Sequence, residues 1–176
     1  MNIVEARRKA NALEKIINSL STLSDDDILL YRAAIDITLR NRNLSFSVGE
    51  LGERLVIEYF NSTPGLPNLQ LAPLGTKNVD ALSRNGERYS IKTLWIAKKT
   101  GTIYPDPDNP AKQLFEFIII VKLDKQLKIE NIHQFSWKSF IQVRSWDKRM
   151  SAWYISVSQK TLQVALSLKP ERFESV

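Results

Sequence analysis

Residues 75–94 read GTKNVDALSRNGERYSIKTL, from Gly75 to Leu94. Val79-Asp80-Ala81-Leu82 is a short half-apolar strand, Ser83-Arg84-Asn85-Gly86 contains the Asn-Gly pair that favours a tight turn, and Glu87 to Ile96 is a second run rich in β-formers. The stretch predicts a β-hairpin. Antiparallel pairing brings Asp80 near Ser90 and Lys92. Strand side chains alternate between faces, so Ser90 and Lys92 project from one face and Ile91 from the other. A carboxylate and a lysine on one face can bind a metal ion and steady a developing oxyanion. A surface hairpin with an incidental Asp and Lys fits the same residues, so the flanking sequence has to decide.

Upstream, Asn68 to Pro73 alternates like a strand, and Ser47-Val48-Gly49-Glu50 has the form of a capping box. That box opens a helix running to about Asn61, before Pro64-Gly65-Leu66-Pro67 breaks the chain. Glu50 is accounted for by the cap and by Arg54 four residues on. Glu53 falls instead on the face of Gly49, Val56 and Phe60, where an acid is costly unless a positive group meets it. Further back, helical spacing over 3–20 and the Ser24 cap before Asp25-Asp26-Asp27 predict a helical hairpin over 3–20 and 25–41. Ile28, Leu29, Ala33, Ile35 and Leu39 give its second helix broad apolar faces, suited to packing on the main domain or to a dimer contact.

Downstream, Ala97 to Gln113 is a Pro-rich loop carrying Lys98, Lys99, Thr100, Thr102 and Tyr104, placed to reach DNA phosphates or a groove if it is not simply solvated. Leu114 to Leu123 is the most apolar run and predicts a central strand covered on both faces, with Glu116 at the sheet edge. Strands at 128–132 and 153–157, a short helix at 137–143 and a closing element at 159–166 follow. Arg144 to Arg149 mixes cations with Trp146, as nucleic-acid surfaces do, but fits better as solvated turn charges around a core Trp. This order predicts an α/β three-layer sandwich around a central mixed sheet. It forms a single domain over 1–176, with an N-terminal helical hairpin at 1–44 and the α/β core at 45–176.

The composition is that of an ordinary globular domain, 43% hydrophobic and 25% charged over 176 residues. With no Cys and a single His133, any metal must be held by oxygen, which favours Mg²⁺ or Mn²⁺. No signal-type segment or membrane span is apparent, so a cytoplasmic protein without a membrane partner is expected. The net charge of +6 is uneven: residues 1–91 carry 11 Lys/Arg against 11 Asp/Glu, and 92–176 carry 14 against 8. A polyanion is the natural partner of such a surface.

Asp80 followed by Ser90-Ile91-Lys92 resembles the hairpin of the PD-(D/E)xK nuclease superfamily, and of type II restriction endonucleases in particular. There an Asp on one strand and a (D/E)-x-K tripeptide on the next hold Mg²⁺ at a scissile phosphate. The resemblance covers about residues 47–125, with Val79 in place of a frequent Pro and Ser90 in place of the usual acid. In that superfamily, Holliday-junction resolvases included, a helix Glu often reaches the metal, and Gly52-Glu53-Arg54-Leu55 resembles that segment.

The resemblance implies a Mg²⁺-dependent endonuclease acting on double-stranded DNA as a homodimer. Asp80 and Glu53 would hold the metal, Lys92 would assist the water or phosphate, Ser90 would occupy the tripeptide, and Glu116 would stand behind Glu53 as the alternative acid. A catalytically inactive DNA-binding module of the same fold and a protein-interaction domain are the competing expectations.

Overall fold

A computed structural model of the chain describes residues 12, 14–43, 47–73 and 75–168. Two compact units divide the chain, Met1–Ser47 and Val48–Val176. The first contains a helix over 14–20 (α1) and a second, α2, at Asp25–Asn41. Residues 3–11 and 13 of the helix predicted over 3–20 lie outside the described residues. The Ser24 hydroxyl accepts the Asp27 N–H at 3.2 Å. Three acids in the first turn and Arg40 in the last complement the helix dipole of α2. No residue of α2 is buried.

The second unit runs α3 (Val48–Ser62), β1 (Leu69–Leu71), β2 (Ala81–Ser83), β3 (Arg88–Leu94), β4 (Phe117–Leu123), β5 (Ile129–Ser136), α4 (Trp137–Val143), β6 (Arg144–Asp147), β7 (Ala152–Ile155), α5 (Gln159–Leu162) and β8 (Leu166–Leu168). Six strands form one mixed sheet in the order β1-β2-β3-β4-β5-β8, with β3 and β4 parallel and the other pairs antiparallel. β6 and β7 form a separate antiparallel ribbon. The chain is thus a mixed α/β protein built on a central mixed sheet.

Alternation along the strands sorts the core. Tyr89 and Ile91 of β3, with Ile119 and Val121 of β4, pack under Val56 and Phe60 of α3. Leu94, Ile118 and Ile120 face the other way, toward Phe140 of α4 and toward Ile103, Trp153 and Ile155. β4 is therefore covered on both faces, as its unbroken apolar run requires.

The hairpin turn closes where Asn85-Gly86 predicts it. Gly86 has φ 83°, its N–H reaches the Ser83 carbonyl at 3.0 Å, and the Ser83 N–H reaches Glu87 at 2.9 Å. Positive φ at Gly86 is the conformation that a residue with a Cβ adopts only at a cost.

One placement adds to the sequence expectation of a loop and two differ from it. Parallel β3 and β4 need a long crossover, and here residues 95–116 supply it without a helix. The crossover is pinned rather than free, since Lys99 bridges Ser156 and Ile103 bridges Trp153. Arg144 to Asp147 is a strand, not a turn, and the core Trp is Trp153; Trp146 stays 47% exposed. Finally, the buried stripe of α3 is Gly52, Val56 and Phe60, while Gly49 is exposed.

Gly52 sets the separation of α3 from β3. A Cβ there would overlap the Thr93 side chain, and the Thr93 hydroxyl donates to the Gly49 carbonyl at 3.3 Å. Gly52→Ala should therefore destabilise the second unit by about 1–3 kcal/mol, as overpacking does. Gly52→Ala/Thr93→Ala should recover part of the loss in urea unfolding. Equal stability of Gly52→Ala and the parent would show that α3 does not depend on this close approach.

Candidate functional site

Asp80 lies just ahead of β2 and still belongs to the ladder. Its N–H reaches the Tyr89 carbonyl at 2.8 Å, and its carbonyl accepts the Ala72 N–H at 3.0 Å. This fixes its side chain beside β3. Oδ2 accepts the Ile91 N–H at 2.6 Å and the Ser90 hydroxyl at 3.2 Å. Lys92 Nζ stands 3.7 Å from the same oxygen. None of the described residues donates a hydrogen bond to Oδ1. The pair is mostly shielded, with side chains 20% exposed for Lys92 and 23% for Asp80. Asp80 and Lys92 thus meet on one side of an antiparallel pair, as the turn and the alternation require.

Ser90 is wholly buried. Its hydroxyl orients the Asp80 carboxylate as a hydrogen-bond donor, leaving the charge to others.

Glu53 arrives on α3, which covers the opposite face of the sheet. Gly52 of α3 sits on Thr93, the residue after Lys92 in β3, and Glu53 follows Gly52 on the helix. Burial raises the Glu53 pKa above its usual 4.5; the Asp80 charge adds to the rise and the Lys92 charge opposes it, with smaller contributions from Glu50 and Arg54. Glu53 is therefore within electrostatic reach of both groups. It makes no direct hydrogen bond or ion pair to either among the described residues, a looser approach than the sequence suggested. Among those residues no three His, Asp or Glu side chains are disposed to hold a metal ion.

Glu116 is committed elsewhere. Its carboxylate accepts the Arg88 N–H at 2.7 Å, Arg88 Nε at 3.0 Å and the second guanidinium nitrogen at 2.8 Å. These bonds hold its pKa below the ordinary value. The clamp ties the start of β3 to the start of β4 and removes Glu116 as the alternative acid.

The five residues expected to contact DNA separate into two groups. Lys98, Lys99 and Tyr104 are exposed, and Thr102 is half-buried. Thr100 is buried: its N–H reaches the Ile155 carbonyl at 3.0 Å and its hydroxyl accepts the Ile155 N–H at 3.0 Å. Its hydroxyl is a structural group, not a phosphate ligand. Asn78, two residues before Asp80, donates from Nδ2 to the Tyr104 carbonyl at 3.1 Å. The crossover thereby leads from the end of β3 back to the approach of Asp80. Sequence reasoning did not find that link, because nothing local marks a partner 26 residues away.

No family model matches the chain, and a search of curated proteins finds no match.

Glu53 binds its proton more tightly in the fold than in the unfolded chain. Its contribution to stability is full below the unfolded value of 4.5 and is lost as pH rises through the raised folded value. Glu53→Gln should accordingly gain thermal stability over the parent as pH rises above about 4.5, until the raised folded value has been passed. A midpoint difference that does not change with pH would show that Glu53 ionises freely.

Proposed function

We propose that the protein is a metal-dependent deoxyribonuclease of the PD-(D/E)xK type, with the restriction-endonuclease-like sandwich of that superfamily. The observation that carries this is the Asp80 carboxylate, gripped through Oδ2 beside Lys92 with Oδ1 left open, and the acid of Glu53 within their field. α3 over one face of the sheet, and α4 with the β6–β7 ribbon over the other, are in keeping with the three layers.

The donor set suits Mg²⁺ or Mn²⁺. Oxygen ligands are what those ions take, and Mg²⁺ is commonly held by one or two carboxylates with substrate phosphate and water completing the shell, so a third acid is not required. Two acids whose mutual repulsion helps to raise the Glu53 pKa would be relieved by a cation between them. Asp80 and Glu53 would hold it, and when bound it would polarise the phosphate and make water more acidic.

The chain's own groups then divide the remaining work. Ser90 and the Ile91 N–H lock the rotamer of Asp80. The Lys92 ammonium stabilises the charge that develops on the phosphate oxygens. Glu53, whose charged form the cation would favour, would complete the ligand set with Asp80. Lys98 and Lys99, exposed on the crossover, would steer the backbone of the DNA. Cutting both strands takes two sites, and the unburied apolar side chains of α2 suit a homodimer.

Purified protein should nick supercoiled plasmid in Mg²⁺ and not in EDTA. Asp80→Asn and Glu53→Gln should abolish nicking, Lys92→Ala should cost roughly 10²–10³-fold in rate, and Glu116→Gln should lower stability while cleavage persists. A second account, an inactive DNA-binding fold, is favoured by Ser90 and by the lack of a three-acid cluster among the described residues. DNA binding with no cleavage in Mg²⁺ or Mn²⁺ would decide for it.

A further inference from the structure

The exposed aromatic side chains of the second unit are not scattered. Among its described residues they are Trp95, Tyr104 and Trp146, at 41%, 48% and 47% exposure. All three lie on the crossover or on the ribbon it pairs with. Trp95 directly follows β3, three residues beyond Lys92. Tyr104 accepts the Asn78 bond beside Asp80. Trp146 stands opposite Trp153 in the ribbon, and Trp153 in turn bridges Ile103, the neighbour of Tyr104. Backbone pairing through Trp153 and Ile103, followed by the Asn78 side-chain bond to the Tyr104 carbonyl, therefore links the ribbon and the crossover to the approach of Asp80.

Cations cover the inner rings of the ribbon, and others stand exposed at its tip. Arg144 lies 3.8 Å over the ring of Trp153, and Lys99 lies 5.0 Å over that of Tyr154. At the tip of the ribbon the one acid, Asp147, is turned inward to accept the N–H groups of Arg149 and Met150 at 3.0 and 3.1 Å. Lys148 and Arg149 are left exposed. Large apolar rings cost free energy in water unless something covers them. A paired base offers only its edge in a groove, whereas an unpaired base offers its face, and ring faces flanked by cations are how proteins hold single strands without reading their sequence.

We propose that the crossover and the β6–β7 ribbon form a platform for unpaired nucleic acid. On it bases stack on Trp146 while Lys148 and Arg149 follow the phosphates. The assignment of nucleic acid as the partner rests on the nuclease reading above, and it narrows the substrate to DNA that is single-stranded or locally unpaired beside the cut. Trp146 is a binding residue in this scheme and takes no part in the chemistry.

The test is fluorescence anisotropy in EDTA with a labelled single-stranded oligonucleotide and a duplex of the same length. The single strand should bind more tightly than the duplex. Trp146→Ala should weaken single-strand binding roughly 5- to 150-fold, the range for removing one stacked base, and Trp146→Phe should retain most of it. Lys148→Ala/Arg149→Ala should reduce the slope of log K against log salt by about 0.7 for each phosphate that is no longer neutralised.

Duplex binding equal to or tighter than single-strand binding, no binding of either, or full affinity in Trp146→Ala would overturn the proposal. Asp80→Asn should keep the single-strand preference. Trp146-dependent binding by a protein that cleaves nothing would leave the platform standing and remove the nuclease. Cleavage with binding indifferent to Trp146 would do the reverse.

Discussion

The hydrogen bond from the Ile91 N–H to Asp80 Oδ2, at 2.6 Å, is the interaction on which the candidate site depends. Asp80 stands where β2 begins, and the bond ties its carboxylate to the backbone of β3 rather than leaving it to solvent. A backbone donor does not move with a rotamer, so the charge is fixed to the sheet. Charge-assisted bonds of this kind are stronger than neutral ones. One oxygen is thereby saturated by Ile91, Ser90 and Lys92, and the other is left open. An acid held in this way is prepared to act as a ligand at little cost in ordering.

The second constraint comes from the other side of the sheet. Gly52 lets α3 lie directly against Thr93, and Glu53 follows from it by one residue. A bulkier residue at 52 would lift the helix and carry Glu53 away from Lys92. The same closeness half-buries Glu53 and raises its proton affinity, so packing and electrostatics at this point are one effect. The Arg88–Glu116 clamp plays the corresponding part at the other end of β3, holding the parallel pair in register where no tight turn can.

Much of this was legible in the sequence wherever the signal was local. The Asn85-Gly86 turn, the alternation through Ser90-Ile91-Lys92, the Ser24 cap and the unbroken apolar run of β4 each follow from a few adjacent residues. Pairings between distant residues were not legible. Nothing near Thr100 shows that its hydroxyl will take the N–H of Ile155, 55 residues on. Trp146 and Trp153 look alike in sequence, and only the register of the ribbon and its bridge to Ile103 make one core and the other surface. Gly52 was within reach, since a glycine four residues before Val56 on an apolar helix face is a mark of close approach. Gly49, at the helix start, is the same residue type but stays exposed.

The central claim is that Asp80 and Glu53 serve one divalent cation. Crystals grown with Mn²⁺ and measured for anomalous scattering test it most directly. The account predicts a single peak bounded by Asp80 Oδ1 and the Glu53 carboxylate, present in the parent and absent in Glu53→Gln. A peak at Asp80 that persists without Glu53, or occupied sites only at other acids, would contradict it.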